Sequence, residues 1–593
     1  MFSLQFFLPI MFHPSKMAPL AIRSAVRAYG NSAKSELTRI NLWTQPRSAS
    51  TSLMYSFKQR GDCSVVDEPL YAHYISETGE PRPYKTELFA TQSRNLEDVL
   101  ENVVFSEQPE AKSLVFFKHM GKQLLPNTDW SWILECKNVI LLRHPRDVLH
   151  SFYTGLGSVS PADSGVKDLY DIYQYANEHG QQVPVILNED LLRRPEGTLS
   201  SLCEQLGVPF TKKMLRWEKG GIEEEGVWSS VWYHSSHATT GFAPPSPSVA
   251  YKAVSEEVEA SSAQCELEYS KLKQKRVKPL PVLPDDRNKD IFVHVGGKLL
   301  HRSDAKISVF DSIVQGGDGV WEGLRVYNGR IFELEEHLDR LIESAKILMF
   351  EDVPSRDEIK NAIFETLNKN GMFDGAHMRL TLTRGTKVSC GMSPTNNQSG
   401  CKLIVIAEWK GLVTASNKPV DNPLTLITSS QRRNNPQYLD SKIHHNNLLN
   451  NIIAKIEANL AGADDAVMLD SEGFVSETNA TNIFMIKNGS LYTPFADGCL
   501  PGITRKRVIE LAETVGITCR EKRLSLSEFY TADEVFTTGT MCGLAPVAII
   551  DGRKIGPAEE ETTKIPGECT KRLQSAYLKL TKDPHYGVEI PKE

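Results

Sequence analysis

Apolar and polar positions fall into two differently patterned blocks along the chain. Between residues 36 and 242, short apolar runs alternate with amphipathic stretches; the runs are Ile40-Asn41-Leu42-Trp43, Ser113–Phe117, Asn138–Leu142 and Val183–Leu187. Strands separated by helical patterns predict a parallel α/β sheet. From Gly241 to Lys289 the pattern lapses. Ala243-Pro244-Pro245-Ser246-Pro247-Ser248 is a breaker cluster, and Lys278-Pro279-Leu280-Pro281-Val282-Leu283-Pro284 reads as an extended spacer. The second block opens with strand patterns at Ile291–Val295 and Lys306–Phe310 and a helix over Leu334–Leu348. Leu448, Leu449, Ile452, Ile453 and Ile456 share one face of a helix predicted over Asn446–Leu460. A strand follows at Ala466–Leu469. A strand pair then turns at Asn488-Gly489, the dipeptide that a type I′ hairpin prefers. This block is mixed α and β with hairpins.

No internal repeat relates the two blocks, so they are different modules. The expected division is a flexible or transit-like segment over 1–35, an α/β domain over 36–242, a linker over 243–288, an α+β domain over 289–570 and a tail over 571–593.

Composition narrows the function classes. The net charge of -7 gives no basic face for nucleic acid. Mean hydropathy is -0.31, and no run approaches the ~18 apolar residues that span a membrane. The ten cysteines form no Cys-x-x-Cys pair, which fits free thiols in a reducing compartment. No metal is called for. The first 35 residues lack Asp and Glu and carry Lys16, Arg23, Arg27 and Lys34. That composition suits a chloroplast or mitochondrial transit segment; without such a role the chain is expected in the cytoplasm.

Four segments of the second block carry chemistry. Lys442 stands in Asp440-Ser441-Lys442-Ile443-His444-His445-Asn446-Asn447, just before the predicted helix. Glu477 ends a short strand in Val475-Ser476-Glu477-Thr478. Leu500-Pro501-Gly502-Ile503-Thr504-Arg505 leads into a helix predicted over Lys506–Val515, with Thr504 as its cap and free amides suited to an anion. Thr537-Thr538-Gly539-Thr540 brings hydroxyls to a tight turn after a strand. Together with His337-Leu338-Asp339-Arg340-Leu341 they resemble the fold-type IV, pyridoxal 5′-phosphate-dependent aminotransferases, the class of branched-chain and D-amino-acid aminotransferases.

The resemblance implies that Lys442 forms the imine, that Arg340, Ile503, Thr504 and Thr540 hold the phosphate, and that Glu477 pairs with the pyridine nitrogen. It places Trp321, Arg325 and Tyr327 on a substrate-side strand. Branched-chain members carry a Tyr shortly after the lysine; here Asn447 stands there. The D-specific enzymes use an Arg-x-His pair, which the stretch Thr383–Gly391 lacks. Arg384 therefore reads as structural, and His444 and His445 as polar or capping positions. The implied reaction moves an amino group between an L-amino acid, branched-chain in the first instance, and a 2-oxo acid. A homodimer is implied as well.

In the first block, the strand Thr38–Trp43 runs into Thr44-Gln45-Pro46-Arg47-Ser48-Ala49-Ser50-Thr51-Ser52 and a helix over Thr51–Arg60. Strand, small-residue loop and helix aim backbone amides at a phosphate, yet the Walker A pattern is missing. The loop resembles the 5′-phosphosulfate loop of sulfotransferases. Arg143-His144-Pro145-Arg146-Asp147-Val148-Leu149-His150-Ser151 resembles their 3′-phosphate segment. This implies a P-loop domain that binds 3′-phosphoadenylyl sulfate or 3′-phosphoadenosine 5′-phosphate through Arg47, Ser48, Ser50, Thr51, Ser52, Arg143 and Ser151. His119 is then the candidate base. The alternative reading is a sulfotransferase whose aminotransferase-like half serves only for dimerisation.

Overall fold

A computed structural model of the chain describes residues 37–109, 111–242, 254–414, 419–556 and 565–592. The acid-free segment and the breaker cluster over 243–248 lie outside the described residues. The chain divides into two compact units, Met1–Pro281 and Val282–Glu593.

In the first unit, β1 (Thr38–Thr44), β2 (Cys63–Asp67), β3 (Leu114–Met120), β4 (Lys137–Leu142) and β5 (Val185–Leu187) form one sheet. Its order is β2-β3-β1-β4-β5, and every pairing is parallel. Parallel strands are covered on both faces. Leu42, Phe116, Val139 and Leu141 pack one side, and Trp43, Phe117, Ile140 and Leu142 the other. The predicted strands omit β2, where Ser64 and Asp67 break the apolar run.

The expected 243–288 linker is largely part of this unit. Helices Glu256–Gln264 and Glu266–Gln274 bury Val258, Cys265, Tyr269 and Leu272, and the Val277 amide donates to the Val185 carbonyl. These helices are short and rich in charge, so their buried stripes are narrow.

The second unit holds two sheets. The first contains β6 (Phe292–Val295), β7 (Lys298–His301), β8 (Gly319–Tyr327), β9 (Arg330–Phe332), β10 (Ala376–Thr383), β11 (Lys402–Trp409) and β21 (Gly587–Glu589), ordered β21-β9-β8-β10-β11-β6-β7 and antiparallel throughout. The strand expected at 306–310 is not formed. β6 pairs instead with Lys298–His301, because Gly296 and Gly297 both take positive φ and turn the chain early. The second sheet contains β12 (Leu424–Arg432), β13 (Asp465–Leu469), β14 (Val475–Thr478), β15 (Asn482–Lys487), β16 (Ser490–Thr493), β17 (Cys519–Glu521), β18 (Glu534–Gly539), β19 (Gly543–Ile550) and the short β20 (Arg553–Lys554). It mixes parallel and antiparallel pairs. Asn488 and Gly489 turn β15 into β16 with positive φ at both positions, as a type I′ turn needs.

One expectation fails here for a packing reason. Residues 571–593 are not a tail: the helix Glu568–Leu580 buries Leu573 and Tyr577, and β21 pairs with β9. The helix Leu449–Leu460 does not bury its apolar face. Leu449 is 66% exposed and Ile452 and Ile456 are each 50% exposed, while Ala454 and Ala458 pack inward against β12 and β13. Small side chains let the helix sit close to the sheet and leave the large ones outside.

Candidate functional site

A cavity of about 730 Å3 opens in the second unit, lined from both of its sheets. That volume suits a small organic ligand. β8 contributes Trp321 and Gly323, β10 contributes His377 and Arg379, and β14, β15 and β18 contribute Glu477, Asn482 and Thr538. Alternation along β8 sends Glu322 the other way, toward the helix Leu334–Ile347.

One end of the cavity is built to hold an anion. The helix Ile503–Thr514 begins there, with Gly502 as its N-cap. A Cβ at Gly502 would lie 2.1 Å from Asn482 Oδ1, so a larger residue would have to displace the Asn482 amide that donates to Glu477. The first amides of this helix have no carbonyl partner within it and aim at the cavity. Arg340 Nη1 donates to the Pro501 carbonyl at 2.9 Å. Its Nε and Nη2 donate to both oxygens of Glu322 at 2.8 and 2.7 Å. The Thr538 hydroxyl is buried at the cavity wall with no hydrogen-bond partner among the described residues.

Glu322 is the hub of this end. It is fully buried and also meets His337 Nδ1 at 2.7 Å and His444 Nδ1 at 2.9 Å. Burial pushes its carboxyl up, but Arg340 and His444 outweigh that and hold it well below the usual range. Burial pushes the His444 imidazole down to about 4 despite Glu322. The ring is therefore neutral at pH 7. Its Nδ1–H donates to the carboxylate, which leaves Nε2 as the basic nitrogen.

Glu477 stands at another wall. It is 5% exposed and bonded by Arg433. Asn482 Nδ2 donates to its Oε2 at 3.0 Å and the Leu500 amide to its Oε1 at 3.3 Å. Burial raises this carboxyl, against the pull of Arg433. The remaining rim is cationic. The Arg379 guanidinium lies 3.9 Å from the Trp321 ring centroid, and its Nη2 donates to Asn446 Oδ1. Lys410 and Arg302 line the same rim.

In the first unit, Arg47 and Ala49 of the β1-to-helix turn take positive φ, which wraps the loop tightly. Ser48, Ser50, Thr51 and Ser52 are buried in it. The Asn188 side chain donates to the Ser48 carbonyl. The Arg143 amide donates to Gln45 Oε1 at 2.6 Å, its guanidinium donates to the Arg47 carbonyl, and its Nε is buried without a partner among the described residues.

Residues 38–264 match the family model described as a sulfotransferase domain, and residues 319–550 match that of amino-transferase class IV. The chain is 48% identical over 559 residues to branched-chain-amino-acid aminotransferase-like protein 2 of Arabidopsis thaliana, covering 93% of this chain and 97% of that one. Protein 1 of that name, from the same plant, is also 48% identical over 559 residues. A branched-chain-amino-acid aminotransferase of Pseudomonas aeruginosa is 35% identical over 49% of this chain and 94% of its own. The chain belongs to the branched-chain-amino-acid aminotransferase-like family.

Against the aminotransferase-like pattern, the structure brings Arg340, Glu477, Ile503, Thr504, Thr540 and Trp321 to one cavity. Four expected residues stand outside it. Lys442 is solvent-exposed and does not line the cavity. Its neighbours Ser441 and Ile443 point inward, and the residue of this loop that reaches the cavity is His444. His444 is thus neither a cap nor solvent-facing. Asn447 is exposed and does not line the cavity. Arg325 is buried as a stitch, donating to the carbonyls of Met541 and Lys410. Tyr327 packs edge-on against Phe332 in the core. Arg384 pairs with Asp318 and the carbonyls of Leu348 and Met349, a structural role.

Sequence reasoning missed His377 and Arg379. They alternate on β10 opposite Arg325 and Gly323, and their pattern, His377-Met378-Arg379, lies just upstream of Thr383–Gly391, where the D-specific enzymes' Arg-x-His pair would stand. In the sulfotransferase domain, Arg47 is exposed and Ser151 half-buried on the helix Pro145–Leu156. His119 cannot act as a base on a bound acceptor. It is 0% exposed and stacked on Trp43 at 4.5 Å. Burial pushes it to about 3.

The second unit should lose stability in acid. His377, depressed mainly by burial to about 3, and His444 at about 4 stay neutral in the folded state. Unfolded histidine takes up a proton below about 6.5. The unfolded chain then binds more protons, so stability is complete above that pH and falls as pH drops toward 4. The two imidazoles together give a slope of up to about 2.7 kcal/mol per pH unit. Urea midpoints of the second unit at pH 7, 6 and 5 should fall in that order; a flat series contradicts the assignment.

Proposed function

We propose that the aminotransferase domain exchanges an amino group between an L-amino acid, branched-chain in the first instance, and a 2-oxo acid, with pyridoxal 5′-phosphate or its amine form as carrier. The observation that carries this is the polarity of one cavity: an arginine and a helix N-terminus at one end, a buried carboxylate at another wall. When bound, the cofactor supplies an electron sink conjugated to the carbon that exchanges its amino group. Its phosphate fits Arg340, the amides of Ile503 and Thr504 and the unpartnered Thr538 hydroxyl, with Thr540 beside them. Its ring nitrogen fits Glu477, whose buried carboxylate would accept the hydrogen bond of a protonated ring nitrogen. Arg379 reads a substrate carboxylate, and His444 Nε2 accepts and returns the proton moved during exchange. Ile291, Val293, Val295, Ile404 and Ile406 form an apolar wall suited to a branched aliphatic side chain.

The test is direct. Protein loaded with pyridoxal 5′-phosphate and mixed with leucine, isoleucine or valine should release a stoichiometric amount of the matching 2-oxo acid. No 2-oxo acid from any amino acid would contradict the proposal.

The exposed stripe Leu449, Ile452, Ile453, Ile456 and Leu460 supports self-association. Ile452→Glu with Ile456→Glu should convert a dimer to a monomer in sedimentation. An unchanged mass would place the contact elsewhere.

The sulfotransferase domain is read as a binder of 3′-phosphoadenosine nucleotides through the 45–52 loop and Arg143. Arg143→Ala removes charge-assisted hydrogen bonds of about 1.5–3 kcal/mol, so affinity for 3′-phosphoadenosine 5′-phosphate should fall at least tenfold by calorimetry. Equal affinity would exclude Arg143.

A further inference from the structure

We infer that this chain carries its pyridoxal-type cofactor without a covalent link, because the loop that reaches the cavity ahead of the helix Leu449–Leu460 presents an imidazole and no primary amine. The inference rests on the reading that the cavity takes such a cofactor.

Within 440–449, His444 is the one residue that lines the cavity. The backbone pins it from both sides. The Trp321 amide donates to the His444 carbonyl at 2.9 Å and the Asn446 amide to the Gly319 carbonyl at 2.8 Å. The His444 amide donates to Ser344 Oγ at 3.1 Å, and Val320 bridges to His445. The ring is held by Glu322 through Nδ1 and lies 4.2 Å from the Trp321 ring. Bringing Lys442 to this place would need a two-residue slip. That slip would break each of these bonds and carry the buried Ser441 and Ile443 out of their sites.

The chemistry then differs in kind. An aldehyde and a primary amine condense to a C=N bond with loss of water, consuming both amine hydrogens. A ring nitrogen of histidine has at most one hydrogen, so addition cannot proceed to an imine. Lys306 and Lys410 also line the cavity, from the segment after β7 and from the end of β11. Lys410 stands with Arg325 and Arg379 around His377, at the rim read above as the carboxylate site. With no lysine at the His444 position, the cofactor's aldehyde and amine forms exchange with solution, and the cofactor behaves as a co-substrate.

The experiment uses the full chain. Protein is equilibrated with one equivalent of pyridoxal 5′-phosphate, its binding is measured by dialysis, and borohydride is added to reduce any C=N bond to a stable amine. After denaturation and filtration, pyridoxyl fluorescence and peptide mapping report what stays attached. The wild-type chain should bind the compound in dialysis yet retain none after denaturation. His444→Lys should retain one group at position 444. Stoichiometric attachment of the wild-type group to Lys306, Lys410 or Lys442 overturns the inference alone. Failure of the wild type to bind in dialysis removes the cofactor reading together with it. Should His444→Lys not fold, the wild-type mapping decides by itself.

Discussion

Arg340→Ala should weaken binding of pyridoxamine 5′-phosphate about 100-fold in equilibrium dialysis. Two charge-assisted hydrogen bonds to a phosphate at 1.5–3 kcal/mol each amount to about 3 kcal/mol or more, and each 1.4 kcal/mol is tenfold. The same substitution strips Glu322 of its strongest partner, since Arg340 contacts both its oxygens. His337 and His444 remain to hold that carboxylate, so the domain should still fold. Arg340→Lys separates the two effects. It keeps a positive charge beside Glu322 but loses the planar fork, so affinity should rank wild type, Lys, Ala. Equal affinities would detach the phosphate from this end of the cavity.

The largest loss of stability is expected in the other unit. Lys118→Met should destabilise the sulfotransferase domain by about 3–5 kcal/mol in urea, because it leaves a buried acidic pair uncompensated. Lys118 is 0% exposed and donates to Asp67 at 2.8 Å, Glu68 at 2.6 Å and Tyr233 at 2.6 Å. Burial already pushes the Asp67 carboxyl up, and Lys118 is the chief opposing influence. A domain is stable by only about 5–15 kcal/mol, so much of the margin would go. The exposed pair Lys167–Asp171 serves as control: Lys167→Ala should change stability by less than about 1 kcal/mol. Comparable losses for the two would show that burial is not what makes the first pair matter.

Much of this site could be read from the sequence because its parts sit at element ends with strong local signatures. Glu477 on a short strand, Arg340 on an amphipathic helix and the Pro501-Gly502 entry to a helix each carry a local signal, and the fold brings them together. The imine position failed for a reason that periodicity cannot supply. A lysine before an amphipathic helix looks functional, but which loop residue faces inward depends on pairing with β8, as in the Val320–His445 bridge. That pairing selects His444. The helix after it follows the same rule: its apolar stripe is legible in the sequence, but Ala454 and Ala458 determine which face meets the sheet. His119 stands at a strand end like a base, but strand alternation sends it into the Trp43 and Trp132 packing, away from the loop. The late chain looked like a tail since a three-residue strand, β21, carries no pattern of its own.

The central claim is that one cavity of the second unit grips a pyridoxal-type cofactor between Arg340 and Glu477. A crystal structure of the chain grown with pyridoxamine 5′-phosphate tests this most directly. The account predicts the phosphate at Arg340 and the amides of Ile503 and Thr504, with the ring nitrogen on Glu477. Density for the compound elsewhere, or in that cavity with its phosphate against Glu477, would contradict it.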